Sequence, residues 1–340
     1  MPEPLPKNPA ISVCVSTRNR AHLLPRLVDS LKSQRLPPAE FEVVVVDDGS
    51  TDSTIDVLRR LATTSGLRMT VLRNEHSRGA AAGRNRAWKQ ALGGLIAFTD
   101  DDCVPTPSWL DAHLEALRDY DIVQGPVEPD PSQLVDLGPF SRIVGVADEN
   151  GLYETCNISY RREWLESVCG FDESFRWAGE DADLAWRAKG AGAVSGFVST
   201  AVVYHDVEPS SWRRALRDTR RWSGVIRLVD KYPHLRARFG EGTWRPAHRP
   251  AVLAVLGGCL CLVGIVIPNR RLLSLGLVAT LPYARYRGKQ APPGSSIGKR
   301  LVFTGRFLAV DGAEVLVFWA TRAQLRTSAF AQAHRRNGQQ

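Results

Sequence analysis

Apolar and polar positions fall into alternating blocks along the first hundred residues. Residues 11–15 (ISVCV) read as a strand, and 21–35 carry Leu23, Leu24, Leu27, Val28 and Leu31 at helical spacing. Residues 41–46 form a near-continuous apolar strand, and 53–63 a helix with Asp52 or Ser50 as its N-cap. A short strand at 69–72, a helix at 80–92 and a strand at 95–99 follow. Strands this apolar, separated by helices, predict an α/β fold with a mostly parallel sheet covered on both faces. Ligands bind such sheets beyond the carboxyl ends of the strands. Three polar loops follow those ends, at 16–19, 47–50 and 100–102, so one rim collects the candidate chemistry.

The pattern then changes. A helix is expected at 109–117, then short strands and loops to about 203, with a long irregular connection over the Pro- and Gly-dense residues 125–138. Residues 211–229 place Trp212, Leu216, Trp222, Val225, Ile226 and Val229 on one helical stripe with arginines opposite, which predicts one basic amphipathic helix with interfacial tryptophans. Residues 251–267 hold no charge over seventeen positions, and 272–284 form a second apolar run of thirteen. Both are short for a bilayer crossing, so a helical hairpin dipping into or across a membrane is expected. A further helix is expected at 301–325, and disorder over 327–340.

Charge sharpens this picture. The net charge of +8 is accounted for by 209–249 alone, with eleven Lys or Arg against three Asp or Glu. A basic block beside apolar runs, flanked by Arg245, Arg249, Arg270, Arg271, Arg285, Arg287 and Lys289, suits an anionic membrane surface better than nucleic acid. The six cysteines show no CxxC pair or zinc-ligand spacing and fit a reducing compartment. The first residues, MPEPLPK, contain no apolar signal region.

The densest chemistry is Asp100, Asp101 and Asp102, directly after an apolar strand. In extended backbone the first and third converge while the second points away. Converging carboxylates call for a hard cation, Mg²⁺ or Mn²⁺. Other motifs stand in order around them: Ser16 to Asn19, Asp47-Asp48-Gly-Ser, the glycine-flanked 79–85 ending in Arg84 and Asn85, and Gly179-Glu180-Asp181. Together they resemble family 2 inverting glycosyltransferases with the GT-A fold, over roughly 11–206. The resemblance implies that Asp48 accepts hydrogen bonds from the base of a nucleotide-sugar, with Ser16 and Arg18 lining that pocket, although Asp48 and Ser50 could equally cap the next helix. It implies Arg84 near the phosphates, with Asn85 beside it, Asp100 toward the ribose, and Asp102 as the direct metal ligand, joined by His205. Asp101 belongs to the same donor-facing triplet, turned away and structural. Asp181 would be the base that deprotonates the acceptor, with Glu180 raising its pKa by like charge. Asp183 is a rival that helical geometry would turn aside. Trp177 would stack on a sugar, and Asn157 would contact the acceptor.

A Gln-x-x-Arg-Trp motif would suggest a processive polymer synthase, but Arg217 and Asp218 stand where its Gln would be, before Arg221 and Trp222. The expected organisation is a catalytic domain over 1–207 (nucleotide half 10–103, acceptor half 104–207), a basic segment at 208–249, a membrane hairpin and helix at 250–326, and a tail. The expected activity is transfer from a nucleotide-diphosphate sugar to a lipid-linked or cell-envelope hydroxyl at the cytoplasmic face of the cell membrane. A nucleotidyltransferase of related fold would need a Gly/Lys-rich phosphate loop that 16–19 does not supply, and a non-catalytic scaffold would not need Asp102 and Asp181.

Overall fold

The computed structural model describes residues 8–208, 211–239, 246–292 and 294–337. The chain divides into two compact units, Met1–Pro209 and Ser210–Gln340.

The first unit is built on strands β1 (Ile11–Thr17), β2 (Phe41–Asp47), β3 (Met69–Arg73), β4 (Leu95–Phe98), β5 (Cys103–Pro105), β6 (Ile122–Gln124), β7 (Val127–Pro129), β8 (Ile158–Arg161), β9 (Ser195–Phe197) and β10 (Val203–His205). Helices α1 (Leu24–Lys32), α2 (Thr54–Thr64), α3 (Ala80–Gln90), α4 (Trp109–Ala116), α5 (Arg162–Ser167) and α6 (Glu180–Gly190) connect them. Seven strands form one sheet in the order β3-β2-β1-β4-β8-β6-β9, and β5-β10-β7 form a second, smaller sheet. β3, β2, β1 and β4 are mutually parallel. β8 runs antiparallel to both β4 and β6, which the sequence pattern did not reveal.

Alternation explains why β1 and β2 are apolar on both faces. Val13, Val15, Val43 and Val45 enter one core with Leu24, Leu27 and Leu31 of α1. Cys14, Val44 and Val46 enter the opposite core with Ala87 and Trp88 of α3 and Phe98 and Tyr160. Successive strand residues point to opposite faces, so only a helix layer on each side leaves neither face wet. Glu42 is the exception, buried in β2 and satisfied by the Ser12 hydroxyl at 2.7 Å and the Leu92 amide at 2.5 Å.

The second unit contains α7 (Trp212–Asp218), α8 (Arg221–Lys231), α9 (His248–Val266), α10 (Arg270–Gly288) and α11 (Ile297–Asn337). The single amphipathic helix expected over 211–229 is two helices. The Thr219 hydroxyl bonds the Leu216 carbonyl at 2.8 Å, a local bond that competes with the helical ladder. Its stripe is partly core: Trp222 and Ile226 are buried against Phe318 of α11, so Trp222 is not interfacial. The expected hairpin is present as α9 and α10. A Cβ on Gly257 would lie 2.5 Å from the Gly276 carbonyl oxygen, so the two helices touch backbone to backbone, as small residues allow. Polar pairs fasten the bundle. Arg287 and Tyr283 of α10 hold Asp311 of α11, and His248 of α9 holds Glu314 at 2.7 Å. α9 alone among the described residues has the length and composition to cross a membrane, a test that core helices of soluble proteins also pass. Helix α11 runs to Asn337, through residues where disorder was expected, and 338–340 lie outside the described residues, as does the N-terminal stretch 1–7.

Two glycines test the packing of the first unit. A Cβ on Gly125 would sit 2.2 Å from the Ala201 carbonyl oxygen and 2.7 Å from Asn157 Nδ2, while one on Gly94 meets nothing within 4 Å. Gly125→Ala is expected to cost about 1–3 kcal/mol by overpacking, and Gly94→Ala well under ~1 kcal/mol, as read by urea unfolding.

Candidate active site

The C-terminal ends of β1, β2 and β4 share one rim. The first two exit loops are stitched together: the Asn19 amide donates to Ser50 Oγ at 2.9 Å, and the Thr51 amide to Asn19 Oδ1 at 2.8 Å. Ser50 is therefore a loop fastener, and Asp52 instead receives the amide of Thr54 at the start of α2. Asp48 pins the loop between β3 and α3. Its carboxylate accepts from Asn74 Nδ2, Ser77 Oγ and the amides of Arg78 and Gly79, at 2.7–2.9 Å. Burial alone would raise its pKa, but these donors hold it below the usual value. A nucleotide base reaching Asp48 would have to displace one of them. Ser16 lies under α3, where a Cβ at Gly83 would come within 2.1 Å of its hydroxyl. Glycine at 83 is what allows α3 to sit this low. Arg18 is exposed.

The three aspartates take three directions. Asp100 Oδ1 receives Arg84 Nη2 at 2.7 Å. Asp101 is buried and receives the Thr17 hydroxyl at 2.6 Å. Asp102 presents Oδ1 to His205 Nε2 at 3.3 Å and Oδ2 to Arg20 Nη1 at 3.5 Å. Burial would raise Asp100, but the Arg84 charge and hydrogen bond hold it low. At Asp101 the Thr17 hydrogen bond and the Arg20 charge pull downward but are outweighed. Burial and the charge of Asp102 push it up to about 7. Asp102 is also raised by burial, against the pull of His205.

Arg84 joins this triplet to α6. Its Nη1 donates to Glu180 Oε1 at 3.0 Å, so one buried guanidinium bridges Asp100 and Glu180. Arg84 Nε and Glu180 Oε2 remain buried without hydrogen-bond partners. Asp181, next along, accepts from the Ala182 amide at 3.0 Å. Burial, with like charge from Glu180 and Glu154, pushes its carboxyl up to about 8. Asp183 is fully buried and bonded to Arg187 Nε at 2.8 Å, which removes it as a rival.

His205 Nδ1 lies 2.8 Å from the Asp206 carbonyl oxygen, an atom that can only accept. Nδ1 therefore carries a hydrogen, and in the neutral imidazole Nε2 turns a lone pair toward Asp102. Two acceptors 3.3 Å apart fit a cation between them. Ligand atoms of Asp102, Cys103 and His205 lie within 4.8 Å of one another. This donor set suits a divalent cation.

Two expected contacts are corrected. Asn157 is fully buried: its amide nitrogen donates to the carbonyls of Pro126 and Ala201, and its oxygen accepts from Trp109 Nε1 and His113 Nε2. Two donors and two lone pairs are all used, so Asn157 ties the core and cannot reach an acceptor. Asn85 is likewise spent, on Phe171 backbone atoms, Glu173 and Trp88 Nε1. It fixes α3 to the 171–173 segment and has no atom left for a nucleotide. Trp177 stands about half exposed, at 49%. Arg20, bridging Asp102 and Glu208 (2.8 Å), and Thr17 under Asp101 were not foreseen. Only the match of Arg20 to acids 80 and more positions away marks it, and spacing does not carry that signal.

Comparison with known proteins agrees with this geometry. Residues 12–173 match Glycosyl transferase family 2, and 154–286 match Glycosyl transferase family group 2. Residues 12–173 form a family 2 glycosyltransferase domain, and the fold is the GT-A fold. It is 27% identical over 209 residues to glycosyltransferase AglE of Haloferax volcanii, covering 59% of this chain and 68% of that protein. It is 33% identical over 216 residues to pre-mycofactocin glycosyltransferase of Mycobacterium tuberculosis, covering 59% of this chain but 43% of that one. Among solved structures it resembles mannosyltransferase PcManGT of Pyrobaculum calidifontis in complex with GDP-Man and Mn²⁺. That likeness has TM-score 0.60 and 20% identity, over 92% of this chain and 88% of that one.

The raised pKa of Asp181 has a consequence for stability. The folded protein holds this proton up to about pH 8, whereas an unfolded aspartate releases it near ~4. Folded chains thus bind more protons across that window, and stability falls as pH rises through it. Asp181→Asn is expected to be more stable than the parent at pH 8, by an amount on the order of a few kcal/mol, with the gap closing toward pH 4. Thermal melts across that range check this, and an equal gap at both ends would contradict it.

Proposed function

We propose that this chain is an inverting, divalent-cation-dependent glycosyltransferase that uses a nucleotide-diphosphate sugar and acts on a lipid-linked or cell-envelope hydroxyl at the cytoplasmic membrane face. The observation that carries the chemistry is the Arg84 bridge, which sets Asp181 beside the carboxylate rim. The base is Asp181: pushed up to about 8, its carboxylate is a stronger base than an ordinary aspartate, and its ionised fraction, which grows toward pH 8, takes the proton. It takes the acceptor proton as the acceptor oxygen bonds to the anomeric carbon. The bond from that carbon to the phosphate oxygen breaks on the opposite face, and its electron pair leaves with the nucleoside diphosphate.

Asp102 and His205 are the residues that would hold the cation, whose chemistry is to neutralise the diphosphate as negative charge builds on it. Arg84 keeps Asp100 ionised and oriented toward the donor. Arg20 holds Asp102 in place from the other side. The solved relatives support the donor class: one holds GDP-Man and another, TarS of S. aureus, UDP-GlcNAc. A uridine- or guanosine-linked donor is therefore the reading for this chain.

The membrane part of the reading rests on the second unit. Leu256, Leu262, Ile265, Val266, Leu277 and Val278 of the hairpin are exposed, with Arg270, Arg271, Arg285 and Lys289 at its ends. An apolar surface bordered by cations suits an anionic leaflet.

Screening nucleotide-sugars with and without Mn²⁺ should show thermal stabilisation by one donor and metal-dependent release of its nucleoside diphosphate. Silence with every donor would overturn the reading. Asp181→Asn should lose transfer by at least about 10²-fold while retaining donor binding, and loss of both would remove Asp181 from the base role. Asp101→Asn should be the most tolerant change in the triplet, since it keeps an acceptor for the Thr17 hydroxyl. In flotation assays the full chain should rise with anionic vesicles and less with neutral ones. Failure to float with either would remove the membrane reading and leave the chemistry intact.

A further inference from the structure

Strand β5 begins at Cys103, immediately after Asp102, and runs antiparallel to β10, where Cys103 pairs with His205 across the strands. Paired residues of neighbouring strands carry their side chains on the same face. The thiol is thereby brought to the pair Asp102 and His205, and the ligand atoms of all three residues lie within 4.8 Å of one another. The Asp102 Oδ1 to His205 Nε2 distance, 3.3 Å, is what two ligands of one ion with bonds of about 2.0–2.1 Å span. Cys103 is buried, as is His205. The family reading uses the aspartate and the histidine but gives the sulfur no part.

We propose that Asp102, Cys103 and His205 together form a three-ligand site that selects a thiophilic divalent cation, Zn²⁺ or Cd²⁺, in competition with Mg²⁺ or Mn²⁺. The inference rests on the reading of Asp102 and His205 as the cation-facing pair. The carboxylate suits the harder ions and the imidazole the later ones, and a sulfur ligand tips the site further toward the softer ones. Hard ions use Asp102 and His205 and leave the sulfur out. A soft ion adds the sulfur and completes a closed set of one oxygen, one nitrogen and one sulfur from protein. In tetrahedral coordination that set leaves a single open position. A diphosphate that chelates through two oxygens then has too few places, so a soft ion occupies the site without supporting transfer.

The probe is Cd²⁺ added to the full-length protein, followed by the ultraviolet band of thiolate-to-metal charge transfer. Cys169 and Cys259 are exposed, so the background carries Cys169→Ser and Cys259→Ser. The expected result is a band that saturates at one Cd²⁺ per chain, is lost in Cys103→Ala, and is displaced only by excess Mn²⁺. Mn²⁺ binding, followed by electron paramagnetic resonance, should be unchanged in Cys103→Ala, which also shows that the variant folds. If Mn²⁺ binds while Cd²⁺ gives no band, or if the band survives Cys103→Ala, the sulfur has no role and the proposal falls while the metal reading stands. If neither ion binds the parent protein, both fall. Cys103→Ser, which keeps the volume, separates lost ligation from lost packing: a band that persists there also overturns the proposal.

Discussion

Everything on the catalytic rim depends on one buried cation. Asp100, Asp101, Asp102, Glu180 and Asp181 approach one another in a region largely shielded from water, and their mutual repulsion would open it. Arg84 sits between the two groups and is hydrogen-bonded to both. A guanidinium is suited to this because its planar fork serves two carboxylates at once and stays charged when buried. The cost of burying it is met by two ion pairs, and removing Arg84 would leave two acids without their cation. Asp100, hydrogen-bonded to Arg84, is held down in pKa, while burial and like charge push up Asp101 and Asp181.

The nearly continuous apolar strands, the helices between them and the polar loops after β1, β2 and β4 were legible in the sequence because each is a local pattern. The site motifs were legible as an ordered set. What was not legible is what depends on contacts far along the chain. β8 enters the sheet antiparallel between β4 and β6, and nothing in its four residues fixes that direction. Asn157 and Asn85 looked like ligand contacts because a polar residue beside a motif is ambiguous until its partners are known. Both are internal latches, with every donor and acceptor engaged. Arg20 was passed over for Arg18, two residues away, because only the fold decides which of the two meets Asp102.

The second unit follows different rules. Its helices meet through glycines at 257 and 276, through the Arg287–Asp311 ion pair and through the hydrogen bond between His248 and Glu314. Periodicity foresaw the hairpin but not the break at Thr219, since a threonine hydroxyl bonding its own helix leaves the hydrophobic stripe intact on either side. Part of that stripe is core and part of the hairpin is exposed, a distinction that amphipathicity alone does not make.

The close seat of α3 on β1 reaches beyond packing. Gly83 precedes Arg84, and the Ser16 hydroxyl fills the space a side chain at 83 would need. Positions 16 and 83 therefore share one small volume, and the depth of the guanidinium is set by how they divide it. Among relatives that keep this helix, bulk gained at one of the two positions should be matched by bulk lost at the other. Such paired variation would be a record, written in sequence, of the distance between an arginine and its two acids.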